Sequence, residues 1–531
     1  MRTLAPVALS FALATGVYAQ APGSSSGLPE AAWTRDYGQS AGQSFDTPAV
    51  PGARAWNIVP SITVQETITD NVALGSATKM SDQITEIRPA LRINAKTARL
   101  KLNLDYQLSE LIYARRSQNN QTLNSLNSFA TIEAIEKLFY VDVTGVIAQQ
   151  NISAFGPQSA GSYSINPNTT ETSNFSLSPY LKGRLGGHAD YEARYRFSVL
   201  RAKSVALSDL DLREWLGRMS GNTPVSFLDW SADANRQSYD YRQSRKTESD
   251  RLRGFIVFRV DPQFRPSVSV GHESNDFLSL GKQSWNTYGY GADWDPTART
   301  RVSGFREKRF FGYGHNLNVA HRLPLSAVKY SDIRDISALP NQFGAVGSGN
   351  IYDLLFSQLA SSFPDESARA AYINNLLTST GIAPNTQVTA GFLSSQVSVQ
   401  RRQELSYLLR GARNVVTVAA LRSQNDQLGT GFGTGNDFSL AASIRQEGWS
   451  TGWSHQLAGS SSLSVTGSRT HSVGATSTLN PMSTQKMFSA SILAKLGAKT
   501  DGALTVRRTV VDSTSSPYSE NAVVGFVSIR F

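Results

Sequence analysis

Polar and apolar residues alternate one for one from Arg99 to Leu108. Leu100, Leu102, Leu104, Tyr106 and Leu108 take the even positions, and Arg99, Lys101, Asn103, Asp105 and Gln107 the odd ones. Successive side chains of a β-strand point to opposite faces, so the stretch predicts a strand with one apolar and one charged face; a helix would scatter those charges round its circumference. The pattern returns from Tyr191 to Val199, where Arg194 and Arg196 lie on the face opposite Tyr195 and Phe197. It returns again from Leu252 to Val260, with Phe255 and Val257 interrupting the charged face. The chain ends the same way: Val523, Val527, Ile529 and Phe531 share one face, and Ser528 and Arg530 the other. A first strand is expected from Trp56 to about Thr69, entered by an aromatic residue suited to a membrane interface.

Turn formers punctuate these strands. Short turns are expected at 94–98, 136–137, 186–187, 220–224, 261–262, 295–298, 323–324, 411–412, 459–462 and 497–499. Longer polar stretches fall between them, at 118–124, 151–170, 243–248, 274–283, 424–436, 472–484 and 513–516. Short turns at one end and long loops at the other are the arrangement of a transmembrane antiparallel up-and-down β-barrel. The turn count predicts about 22 strands, an even number within about 18 to 24. From about Ser337 to Gly391 the alternation fails. Ile351, Leu354, Leu355 and Leu359 fall at helical spacing, and Pro364 with Asp365 and Glu366 can open a second short helix that ends before Gly381. This insertion is expected to be either an extracellular loop folded on itself or a lumen plug.

The segment before the first strand assigns the compartment. Arg2, the apolar run from Leu4 to Val17 and the small residues around Val17-Tyr18-Ala19 predict a signal peptide over residues 1–19. Residues 20–55, rich in Gly, Ser, Ala and Pro without a period, are expected to form a flexible periplasmic arm. The terminal Phe531 on a two-faced strand resembles the assembly signal of outer-membrane barrels. Outer-membrane localisation is therefore expected, with the barrel assembly machinery as a partner. A mean hydropathy of -0.27 is compatible with this, because barrel strands average lipid-facing against lumen-facing residues.

Cysteine is absent, which removes disulfides, thiolate metal sites and cysteine nucleophiles. The net charge of +10 biases the chain toward anionic partners, among them outer-membrane lipid and lipopolysaccharide. Nucleic acid is not expected behind an export signal.

Residues 56–61 (Trp-Asn-Ile-Val-Pro-Ser), 66–74 (Glu-Thr-Ile-Thr-Asp-Asn-Val-Ala-Leu) and Ser81-Asp82 resemble the PEP-CTERM system-associated outer membrane protein family. The resemblance continues at 149–158 (Gln-Gln-Asn-Ile-Ser-Ala-Phe-Gly-Pro-Gln), at Ser178-Pro179-Tyr180, in the insertion around 352–377 and from Tyr518 to Phe531. It implies an outer-membrane barrel tied to exopolysaccharide production, with polysaccharide export components as partners. It carries no catalytic residue.

The residues offer little enzyme chemistry. His188, His272, His315, His321, His455 and His471 fall in no nucleophile or metal-ligand spacing, so no catalytic residue, metal or cofactor is expected. His272-Glu273 with Asp276, and Asp70-Asn71 with Asp82, could in principle hold a cation, but solvated loop and turn roles fit these residues better. Parity assigns Arg99, Lys101, Arg194, Arg196, Arg251, Arg253 and Arg259 to the lumen wall, where they could favour anions. The leading expectation is a channel or export-associated barrel. The alternative is a non-conducting envelope scaffold for partner proteins, and an outer-membrane hydrolase is third.

Overall fold

The computed structural model describes residues 55–531 apart from 160, 187, 205–208, 243–244, 338–391, 395, 430–436 and 476–479. The segment expected at 1–19, all of that expected at 20–55 except Ala55, and nearly all of the insertion expected at 337–391 lie outside the described residues. Those residues form 22 antiparallel strands. In chain order they are β1 (Trp56–Thr69), β2 (Asp82–Lys96), β3 (Leu100–Tyr113), β4 (Gln121–Ile135), β5 (Phe139–Asn151), β6 (Thr169–Leu185), β7 (Ala189–Ala202) and β8 (Leu210–Asn222). Next come β9 (Leu228–Tyr241), β10 (Lys246–Phe258), β11 (Phe264–Asn275), β12 (Gln283–Thr297), β13 (Thr300–Arg309), β14 (Gly312–Arg322) and β15 (Ser326–Ser337). The ring is completed by β16 (Ser398–Arg410), β17 (Asn414–Gln427), β18 (Ser443–Ala458), β19 (Ser461–Ala475), β20 (Met482–Lys495), β21 (Thr500–Ser513) and β22 (Tyr518–Arg530).

Each strand pairs with its neighbours in sequence, and β1 pairs with β22 from Ser61 opposite Arg530 to Thr69 opposite Ala522. The sheet is thus a closed barrel with no free edge, which is what lets every backbone group be satisfied inside a bilayer. The outer surface supplies the matching apolar band. On β1 the outward positions are Ile58, Ile62, Val64 and Ile68, and on β22 they are Val523, Val527 and Ile529, all 36% exposed or more. Leu252, Ile256 and Phe258 of β10 are likewise outward and exposed. Phe531 follows the last strand with its side chain 66% exposed, and its N–H donates to the Pro60 carbonyl at 3.0 Å.

All ten expected short turns occur, and they lie at the end of the barrel that holds both termini of the sheet. By the usual asymmetry of such barrels this is the periplasmic end. The loop end departs further from expectation: β7 and β8 join through 203–209, where no loop is expected, and β13 and β14 join through only Phe310 and Phe311. Arg99 also needs correction. The chain leaves the sheet after Lys96, so Arg99 is exposed in the β2–β3 turn, and the alternating pattern begins to act as strand only at Leu100. Besides the strands, the described residues hold a 3-10 turn at Ser117–Asn119 and a short helix, α1 (Asp437–Leu440), in the β17–β18 loop.

Candidate lumen wall and inner loop

The inward face of β5 to β15 carries a ladder of charge pairs. Arg194 of β7 lies 2.8 Å from Asp142 of β5 and 2.8 Å from Glu192, with its guanidinium 3.9 Å above the Tyr180 ring. Arg196 lies 3.0 Å from Glu214 of β8, whose second oxygen accepts from Asn235 at 2.7 Å and Gln237 at 2.8 Å. Arg253 of β10 makes a forked contact with Asp233 of β9 at 3.0 to 3.1 Å, with Glu307 of β13 at 3.6 Å beyond it. Arg309 bridges Glu273 and Asp335. These groups are nearly all under one-tenth exposed. Removing a carboxylate would leave a buried guanidinium short of a counter-charge, so the pairs hold the wall in one arrangement.

The other lumen candidates sit in varied settings. Arg251 is buried and faces Glu273 across the β10–β11 register. Lys101 is half-buried on the inward face of β3. Arg259 is already in the β10–β11 turn, 3.0 Å from Asp229, at the periplasmic rim. The residues weighed as cation ligands are engaged elsewhere: Asp70 with Lys79 and Asn521, Asp82 with Arg116, Glu273 with Arg309 and His272 with Asn286.

The feature that sequence reasoning passed over is the loop at 152–168, between β5 and β6. Its neck is tied by Asn168, whose side-chain oxygen accepts from Ser153 N–H at 2.8 Å while its amide donates to the Ser153 carbonyl at 3.0 Å. A Cβ on Gly156 would stand 2.5 Å from Cγ of Asn168, so this close approach requires glycine. From that neck the loop folds inward and reaches strands as far as seven places round the ring. Tyr163 Oη donates to Glu520 of β22 at 2.9 Å, and Tyr113 of β3 donates to the Tyr163 carbonyl at 2.7 Å. The Gln158 carbonyl accepts from Gln485 of β20 at 2.9 Å and from Tyr518 of β22 at 2.5 Å. Ile165 N–H donates to Val72 of the first loop at 2.8 Å.

Apolar contacts complete the docking. Tyr163 packs with Val72, Ile84, Leu111, Tyr113 and Ala522. Ala154 and Phe155 pack with Phe392, Phe438, Ala441 and Ile444, which joins three loops in one buried cluster. Across the ring, Phe277 of the β11–β12 loop packs on Leu200, Leu210, Leu212, Tyr239 and Tyr241. The α1 carboxylate of Asp437 is buried against the inner loop. It accepts from Ser153 Oγ at 2.5 Å and Ala154 N–H at 2.6 Å. Burial pushes its pKa up to about 6, and the two hydrogen bonds only partly offset that.

No family model and no curated protein matches the chain. Among solved structures, it is similar to the FrpB iron transporter from Neisseria meningitidis, with 9% identity, a TM-score of 0.48, and cover of 90% of this chain and 83% of that one. The siderophore receptor PirA from Pseudomonas aeruginosa shows 12% identity, a TM-score of 0.38, and cover of 91% and 81%. OccK5 (OpdH) from Pseudomonas aeruginosa shows 9% identity, a TM-score of 0.33, and cover of 90% and 98%. The barrel architecture rests on the closed strand ring itself, and these distant likenesses assign no substrate.

Proposed function

We propose that this chain is an outer-membrane channel whose extracellular half is narrowed by inward-folded loops, and that it passes polar solutes or serves export. The observation that carries the reading is the 152–168 loop, docked by side-chain hydrogen bonds on β3, β20 and β22 from inside the ring. A ring of this strand number encloses an aqueous or plugged lumen, and a wall of buried ion pairs suits water rather than a dry apolar core. The exopolysaccharide link implied by the family resemblance belongs to this proposal, with acidic or neutral saccharides as the solute class.

The expected anion preference also belongs here, in a weaker form. Arg194, Arg196, Arg253 and Arg259 each face a carboxylate, so a preference would rest on the net charge of +10 rather than on them. Proteoliposome swelling tests the proposal. Small sugars should enter at a rate that falls with their size, and acidic sugars slightly faster than basic ones of equal size. Vesicles that stay tight to every solute would favour the non-conducting scaffold.

A further inference from the structure

The outer surface from β15 to β21 has a charge pattern that a plain lipid-facing wall does not need. One outward rung runs Tyr330, Leu405, Ala420, Trp449, Arg469 and Lys486 through directly opposed positions on six neighbouring strands. The next rung toward the extracellular end runs Asp332, Gln403, Arg422, Glu447 and His471. Ala420 sits between Leu405 and Trp449, and a groove of about 440 Å³ opens there, lined by these residues and by Arg422, Arg469 and His471, with the Glu447 carboxylate, paired to Arg422 and Arg445, as an acidic group among them. Below it the outward face is apolar, with Val418, Leu409 and Trp453 exposed. The groove therefore lies where the apolar band meets the extracellular headgroup region.

Two features make the rim unusual. Arg469 and Lys486 stand directly opposite one another, and so do Arg334 and Arg401 two rungs higher. Like charges at directly opposed positions repel unless something neutralises them. Arg401 is matched by Asp332 at 2.7 Å, and Lys486 lies 3.7 Å from Asp512, but Arg469 makes no ion pair among the described residues. Arg469 shares its rung with Trp449 at the upper edge of the band, where a guanidinium must reach up to the interface.

We propose that this groove binds the phosphorylated, acylated glycolipid of the outer leaflet, with acyl chain on Leu405, Ala420 and Trp449 and phosphate on Arg422, Arg469 and Lys486. A phosphate answers both the repulsion and the missing counter-charge, since arginine presents paired donors to it. The inference rests on the membrane orientation of the proposed function, but it does not require conduction.

Native mass spectrometry of the full chain in detergent, titrated with bis-phosphorylated lipid A, tests it. Arg469→Gln with Lys486→Gln should weaken binding at least about tenfold. Lys137→Gln with Arg299→Gln, in exposed periplasmic turns, should leave it unchanged, and dephosphorylated lipid A should bind the wild type about as weakly as lipid A binds the groove variant. Equal binding by the groove variant and the wild type would overturn the proposal. So would equal competition by phosphatidylglycerol or by inorganic phosphate. Unchanged solute entry in a variant that has lost the lipid separates this failure from that of the channel reading.

Discussion

The arginines of the inner wall and those of the outer extracellular rim differ in how they are neutralised. Inside, Arg194 and Asp142 are 3% and 2% exposed at 2.8 Å, and Arg253 and Asp233 are 2% and 3% exposed at 3.0 Å. Outside, Arg422 and Glu447 are 50% and 40% exposed at 3.9 Å, and Arg469 has no such partner among the described residues. The buried wall cannot hold a charge without its counter-charge, so it is supplied either by the directly opposed residue, as for Arg196 with Glu214 and Arg253 with Asp233, or from one strand further, as for Arg194 with Asp142. The rim is exposed, so its cations need no buried partner.

The largest expected effect comes from breaking an inner pair. Asp142→Ala takes from buried Arg194 one of its two carboxylate contacts and should cost about 3 to 5 kcal/mol, read as a lower urea midpoint for loss of the heat-modifiable folded band. Replacing both partners by apolar residues of similar size should recover most of that loss.

Next comes the tie at Asp437. Its pKa is raised in the docked state to about 6, against an ordinary value near ~3.9 once released. The docked state thus holds the proton more tightly, so docking is strongest below the released value and weakens as pH rises through about 6. The two-unit difference corresponds to on the order of 2 to 3 kcal/mol. Bilayer recordings should show longer open times at pH 7.5 than at pH 4.5, and Asp437→Asn should flatten that dependence.

Tyr163→Phe removes the donor to buried Glu520 and should cost docking about 1 to 3 kcal/mol, visible as faster protease cleavage within 152–168. At the small end, Arg422→Gln should lower stability in the same urea titration by less than about 1 kcal/mol, because its pair is exposed and long. A rim substitution as costly as Asp142→Ala would erase the contrast between the two surfaces.

How far the sequence could be read follows the same physics. Strand parity was legible because lipid and lumen impose opposite polarity on alternate residues, and the ten short turns announced themselves through Gly, Pro, Asn and Asp. Arg99 was misplaced because alternation continues one residue past the end of a strand without changing the pattern. The inner loop was not legible as such. Residues 151–170 read as polar, and Tyr163 and Glu520 lie too far apart in sequence to suggest contact. The available signal was Phe155 and Tyr163 in a loop where Asn, Ser, Gly and Pro make up most of the other residues. Aromatic residues there have little to pack on outside a barrel, which points them inward. The carboxylate partners of the wall arginines were equally hidden, since Asp142 and Arg194 meet across the intervening strand β6.

Single-channel recording in planar bilayers tests the central claim most directly, by comparing the wild type with the Tyr163→Ala, Asp437→Ala double variant that releases the inner loop. The account predicts small, frequently interrupted conductance steps for the wild type and larger, more sustained steps for the released variant. Correctly folded barrels that give no steps in either form would contradict it and leave the scaffold reading in its place.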